Sequence, residues 1–267
     1  MAQGKTRAVL DPGSFVVYYG RGPLVGIDSF ELAILEPSGW SLADRSALQA
    51  LGVTTLAYLS VLEASKASAT AAGLGRGDLL AVRGVPWSRP QFGTTVVDPR
   101  SPRWRSYVYE RASALVQAGW NGLFLDTLGD LEDPVIQGEL GRLLPAAAEL
   151  VHAIRERIPE ARLVQNNGVW VLLPLVVMDL DGVCWETSIE LAAGGPFADA
   201  ALSALTLAKN RYGVTPLLLS APEPGQQEDG LRFMHDLSRR FGFRSYVAPG
   251  SYTEAIRLPN GRVQAGH

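Results

Sequence analysis

The chain is short of the residues that most often carry chemistry by themselves. Of its 267 residues only one is cysteine, Cys184, so no intrachain disulfide and no cysteine metal cluster can form. Cys184 sits inside an apolar run and reads as a small buried hydrophobe rather than a nucleophile. The three histidines, His152, His235 and His267, do not converge in sequence, which argues against a histidine metal site or a Ser-His-Asp triad. No metal and no cofactor are expected. Excess charge of either sign is also missing: 24 basic against 27 acidic residues leave a net −3, with no electrostatic call for nucleic acid. The basic pairs Arg155/Arg157 and Arg239-Arg240 fall on helical patterns and read as solvated faces.

Long apolar runs are missing too. No stretch reaches the roughly 20 apolar residues of a membrane span. Residues 1–14 lack the apolar core of a secretory signal and read as an N-terminal extension. No Gly-x-Gly-x-x-Gly follows the first strand-like run, which weakens a dinucleotide site, and Gly73-Leu-Gly-Arg-Gly77 lacks a following helix pattern and reads as a turn. No Ser/Gly linker divides the chain, so residues 15–267 are expected to form one domain.

What is present is alternation. Eight strand-like runs recur: Phe15–Tyr19, Leu32–Leu35, Thr54–Leu59, Leu123–Asp126, Leu163–Asn166, Val183–Glu186, Leu217–Leu219 and Tyr246–Ala248. Most are continuous apolar runs, as parallel strands covered on both faces should be. Helix patterns lie between them, opening at Ser41 and ending at Gly52, then at Pro102–Ala118, Glu139–Arg157, Ala198–Asn210 and Glu228–Phe241. Strand–helix alternation over this length predicts an α/β fold, a single (β/α)8 TIM-type barrel. About forty residues between the third strand and Pro102 exceed a plain connection. Leu79–Arg83 and Thr94–Val97 flank Val85-Pro-Trp-Ser-Arg-Pro90 there, which predicts an inserted hairpin over the barrel mouth, with residues 61–101 as a candidate lid.

Two of the strands end in acids: Gly122-Leu-Phe-Leu-Asp126 and Gly182-Val-Cys-Trp-Glu186, each preceded by a polar residue, Asn121 or Asp181. A carboxylate ending a buried strand is costly to desolvate and needs partners or a task. On alternate strands of one barrel, two such acids can face each other across the mouth, as glycoside hydrolysis requires. Cys184 and Trp185 make the setting of Glu186 apolar, which favours a raised pKa and a general-acid role. Other strand ends add Tyr18, Tyr19, Glu36, Ser60, Glu63, Asp130, Asn166, Asn167, Trp185, Ser220 and Tyr246, a mixture of rings, amides and acids suited to sugars. Glu36 precedes Pro37 and reads as structural. Trp87 in the inserted loop is a candidate stacking surface, whereas Tyr109 fits a packed helix face.

The block Val97-Asp-Pro-Arg-Ser-Pro-Arg-Trp104, followed by Ala118-Gly-Trp-Asn-Gly-Leu-Phe-Leu-Asp126, resembles the glycoside hydrolase family 114 type of barrel. Ala57-Tyr-Leu-Ser-Val-Leu-Glu63, Gln165-Asn-Asn-Gly168 and Trp185-Glu186 continue the likeness, which spans roughly Phe15 to Tyr246. It implies endo-hydrolysis of an α-1,4-linked galactosamine-containing polysaccharide without cofactor, with Asp126 and Glu186 at the two catalytic positions. Asp126 is expected to be the nucleophile and Glu186 the acid/base. Tyr18, Tyr19, Tyr58, Glu63, Trp87, Asp130, Asn166, Asn167, Trp185 and Tyr246 are expected to bind substrate. The resemblance also implies a secreted or cell-surface location, and the chain is expected to act as a monomer. Two positions depart from the family pattern: Leu62 where Gly is usual, and Thr127 where Asn often follows the Asp. Two other readings stay open, a non-catalytic carbohydrate-binding barrel and an enzyme acting on a small phosphorylated sugar. The latter needs a phosphate site at the last strands, and Ser220-Ala-Pro-Glu-Pro-Gly225 makes a poor anion cradle.

Overall fold

The computed structural model describes residues 9–187, 194–222 and 225–266. Most of the predicted extension, His267, and Glu223 and Pro224 of the loop weighed as a phosphate cradle lie outside the described residues.

Eight parallel strands form one sheet in chain order: β1 (Phe15–Tyr18), β2 (Leu32–Leu35), β3 (Thr54–Ser60), β4 (Gly122–Asp126), β5 (Arg162–Asn166), β6 (Gly182–Glu186), β7 (Thr215–Ser220) and β8 (Arg244–Val247). The sheet curls until β8 lies beside β1, and no ladder joins the two among the described residues. Across that seam the rings of Phe15 and Tyr246 stand 5.9 Å apart. The result is a nearly closed barrel with helices outside, as the alternation predicts.

Those helices are α1 (Leu42–Ala50), α2 (Pro102–Gln117), α3 (Leu140–Arg157), α4 (Pro196–Tyr212) and α5 (Gln227–Phe241). Their ends follow local chemistry. Ser41 and Asp44 close a capping box on α1, and the Ser101 hydroxyl accepts the Trp104 amide at 3.2 Å above the Pro102 start of α2. Gly213 (φ 70°) and Gly242 (φ 64°) end α4 and α5 in the left-handed conformation that suits glycine.

At the lower end of the barrel the polar residues before the two strand glycines act as stitches. Asn121 Oδ1 accepts the Thr55 amide of β3 at 2.8 Å, and Asp181 Oδ2 accepts the Leu163 amide of β5 at 2.9 Å. Gly122 must be glycine, since a Cβ there would lie 2.2 Å from the Arg162 carbonyl oxygen. Arg155 is not on a solvated face as its helical pattern implied. It is buried, bonds Asp181 Oδ2 at 2.7 Å and donates to the Ala161 carbonyl at 2.7 Å. Leu10 is also buried under the barrel, and Arg244 donates to the Pro12 carbonyl at 2.7 Å. The described part of the extension is therefore packed against the barrel base.

The long insertion after β3 is more than a hairpin. Glu63–Ser65, Ser88–Arg89 and Thr94–Val96 form a small antiparallel sheet, and Ala81–Val82 pairs with Val85–Pro86 beside it. Its root is fixed by Thr127, which follows β4 with φ 68°. That backbone is strained for a β-branched residue. It aims Oγ1 at the Val61 and Leu62 amides, which donate to it at 3.1 and 2.8 Å. The two departures from the family pattern, Leu62 and Thr127, thus touch each other.

Candidate active site

At the upper end of the barrel lies a cleft of about 680 Å³. Of the predicted site residues, Tyr19, Tyr58, Glu63, Asp126, Asp130, Asn167 and Glu186 line it. β4 and β6 deliver the two acids, and Asn166 rises between them from β5. Register makes this possible: Gln165 pairs with Leu125, and Asn166 with Cys184, so the three side chains project together at the strand tips. Asn166 is buried beneath the cleft, and its Nδ2 donates to Asp126 Oδ1 at 2.8 Å and to Glu186 Oε2 at 3.0 Å. The sum of those bonds limits the two oxygens to less than about 6 Å apart.

The rest of the acids' environment is built from tyrosines and backbone. Tyr252 donates to Glu186 Oε1 at 2.7 Å. The Tyr58 phenol is buried near Asp126, and burial together with the charge of that carboxylate pushes it up. Tyr19 packs edge-on to both Tyr58 and Tyr252, with centroids 5.0 and 5.6 Å away. Burial raises the Glu186 carboxyl above its ordinary range, and the neighbouring Asp126 charge adds to this. Asn166 and Tyr252 pull the other way. The apolar setting foreseen from Cys184 and Trp185 is therefore only part of the cause.

Asn167 holds the turn above β5 in a left-handed conformation, φ 55°. Its Oδ1 accepts the Glu186 amide at 2.9 Å, so it positions the backbone of the acid as well as lining the cleft. Glu132 braces that turn by accepting the Gly168 amide at 3.2 Å and the Trp170 amide at 2.6 Å. Burial pushes its carboxyl up to about 7, against those backbone donors.

Four predicted residues are placed elsewhere. Tyr18 is fully buried and packs edge-on against Trp40 at 6.4 Å. Trp185 alternates to the outer face of its strand and meets Trp170 at 6.4 Å. Tyr246 packs on Phe15 and Phe30 and accepts the Arg257 amide on its hydroxyl at 3.1 Å. Trp87 lies under the Arg89 guanidinium, 4.2 Å from its ring centroid, while Phe92 of the same insertion lines the cleft and is 71% exposed. Glu36, read as structural, does cap a turn by accepting the Ser38 amide at 3.2 Å, and it also lines the cleft. Tyr252 and Phe92 escaped the sequence reading. Their signals are slight: aromatic residues in turn-rich segments next to strand ends.

Residues 24–198 match the model of glycoside-hydrolase family GH114. The chain belongs to that family. Among solved structures, the glycoside hydrolase domain of PelA from Pseudomonas aeruginosa has a TM-score of 0.73 at 26% identity, covering 89% of this chain and 94% of that one. Ega3 from Aspergillus fumigatus, solved in complex with galactosamine, shares the fold with a TM-score of 0.72 at 12% identity over 99% of each chain. No curated protein matches the sequence. The family match spans β2 to β6, and so covers the strands bearing both acids and their shared amide. It stops short of Tyr252. Membership makes the chain a glycoside hydrolase. Among the described residues no cluster of acids, cysteines or histidines is arranged to hold a metal, and no helix is long and apolar enough to cross a membrane.

Proposed function

We propose that this enzyme cleaves an α-1,4-linked, galactosamine-containing polysaccharide internally and with retention, using Asp126 as nucleophile and Glu186 as acid/base. The observation that carries the mechanism is the Asn166 amide bonded to both carboxyls at 2.8 and 3.0 Å, which keeps one oxygen of each within about 6 Å of the other. Retaining glycosidases hold their two carboxyls about 5–5.5 Å apart, whereas inverting ones leave about 6.5–9.5 Å for a water. Glu186, whose pKa burial and the Asp126 charge raise, is the acid suited to hand a proton to the leaving oxygen. Asp126 then attacks the anomeric carbon. Once its charge is consumed in the glycosyl ester, one cause of the raised Glu186 pKa is gone, and Glu186 can take a proton from the incoming water.

The cleft itself supports an amino sugar. Glu36, Glu63, Asp126, Asp130 and Glu186 line it, and among the described residues no Lys, Arg or His does, Arg89 standing behind Asp130 at 2.7 Å. Such a surface attracts a polycation and repels phosphate, which sets aside the phosphorylated-sugar reading. In this reading the enzyme works as a secreted or cell-surface protein.

The test is incubation with de-N-acetylated and N-acetylated α-1,4-galactosamine polymers, with product anomers followed by NMR. Short oligosaccharides appearing first as the α-anomer are expected. First appearance of the β-anomer would make the enzyme inverting and Asp126 a general base. Binding without release would leave a carbohydrate-binding barrel.

A further inference from the structure

Asp126 and Glu186 stand on strands that are not neighbours, since β5 lies between β4 and β6. The Asn166 amide spans that gap from within the barrel. A second link spans it from above, and it starts on the strand of Asp126 itself. The chain leaving Asp126 passes through Thr127 into a short turn of helix, Leu128–Glu132. This segment lies directly on the turn after β5. A Cβ at Gly129 would stand 2.8 Å from the Asn167 Cβ, and one at Gly168 would stand 3.3 Å from the Leu128 carbonyl oxygen. At the end of the segment Glu132 accepts the Gly168 amide on Oε2 at 3.2 Å and the Trp170 amide on Oε1 at 2.6 Å.

The turn so held is one that needs holding. Asn167 and Gly168 are left-handed in succession, φ 55° and 66°, and for Asn167 that conformation persists only where the surroundings fix it. From there Asn167 grips β6 on both sides of Trp185. Its backbone amide donates to the Cys184 carbonyl at 2.8 Å, and its Oδ1 accepts the Glu186 amide at 2.9 Å. The chemistry of the brace is specific. Two donors approach two different oxygens, which a carboxyl offers and a glutamine does not, because its NH2 would face one of the N–H groups.

Resting on the assignment of Asp126 and Glu186 given above, we propose that Glu132 is a positioning residue for the reaction: it locks the turn after β5 to the segment after β4, and through Asn167 it fixes the backbone of Glu186 relative to Asp126. Glu132 does not line the cleft, so its effect on substrate is indirect. Without it the Glu186 carboxyl is free to drift from Asn166 and Tyr252, both of which lower its pKa. Turnover and the titration of Glu186 should therefore change, while binding of the polymer is kept.

The full chain is compared with Glu132→Gln, Asn167→Gly and the double variant, in kcat and KM on the de-N-acetylated α-1,4-galactosamine polymer. The Glu186 carboxyl is also titrated without substrate by carbon NMR of labelled glutamate, its signal assigned by its loss in Glu186→Gln. Asn167→Gly removes the side chain while leaving the left-handed turn accessible. Glu132→Gln is expected to lower kcat about tenfold with KM changed by less than about twofold, and to raise the Glu186 pKa. The double variant should be slower than the slower single one by less than about twofold, because both act along one chain of contacts. Gly129→Ala, which sets a methyl against Asn167 from the same segment, should move the Glu186 pKa the same way. Losses that multiply in the double variant overturn the proposal, as does a Glu132→Gln chain that loses stability with kcat unchanged. A Glu186 pKa that stays or falls in Glu132→Gln overturns it too, and one that stays in Gly129→Ala does so whether or not Glu132→Gln folds. If the parent releases nothing from the polymer, the substrate reading falls alone, and the NMR titration still decides the role of Glu132.

Discussion

The two ends of β4 and β6 treat the same chemical problem in opposite ways. At the lower end a buried carboxylate, Asp181, meets Arg155 at 2.7 Å and Arg162 at 3.4 Å, and it also accepts the Leu163 amide. At the upper end Asp126 and Glu186 share one neutral amide, Glu186 also accepts the Tyr252 hydroxyl, and among the described residues no cation is paired with either acid. Compensation below makes a charge structural, because the pair holds two strands and a helix in register. Its lack above leaves charges that are paired only in part and are free to act on a substrate.

The sharpest test of this contrast is exchange of the acids for their amides. Asp126→Asn and Glu186→Gln should each lower kcat by about a thousandfold or more while leaving the thermal midpoint nearly unchanged. Near-full activity in either variant removes that residue from the mechanism. The opposite profile is expected below. Asp181→Ala leaves Arg155 buried without its carboxylate and should cost about 3–5 kcal/mol in urea unfolding, with activity per folded molecule retained.

Glu132 lies between these cases, a buried acid answered by backbone amides alone. Its folded pKa, about 7, stands above the ordinary 4.5. Between those values the folded chain keeps a proton that the unfolded chain has given up, so stability falls as pH rises through that window. The fall is about 3 kcal/mol for this group. Urea unfolding across the window should show it, and Glu132→Gln should flatten the slope. A slope unchanged in the variant would show that another group titrates there.

Asn166→Ala removes the donor common to both acids and should cut kcat by about a hundredfold. Tyr252→Phe should cost only about tenfold. It should also move the alkaline limb of the kcat/KM profile upward, because the hydroxyl lowers the Glu186 pKa and its loss lets that pKa rise. A limb that stays in place or moves down would remove Glu186 as the group titrating there.

The strand and helix order was legible because each barrel strand is buried on both faces and each helix carries its own caps. Ser41, Pro102 and Gly242 mark boundaries by local chemistry alone. Asp126 and Glu186 were legible as acids where apolar runs stop. Facing was harder. Tyr18 and Trp185 stand one residue away from cleft-lining neighbours, Tyr19 and Glu186, and alternation turns them into the packing. Arg155 misled for a related reason: a helical arginine looks solvated until the acid it reaches, in a distant segment, is known. Tyr252 and Phe92 reach the cleft through loop geometry, for which sequence periodicity offers no signal.

The seam between β1 and β8 has a consequence for how the enzyme comes into being. The Tyr19 amide donates to the Tyr252 carbonyl at 2.7 Å, so the loop bearing the Glu186 partner is anchored on the first strand. Ribosomal synthesis runs from one side of that seam to the other. Asp126, Asn166 and Glu186 are all made before Tyr252, and its anchor emerges long before any of them. The nascent chain thus carries its two acids for some time before the last donor arrives, and translation of the segment after β8 is the step that completes the catalyst.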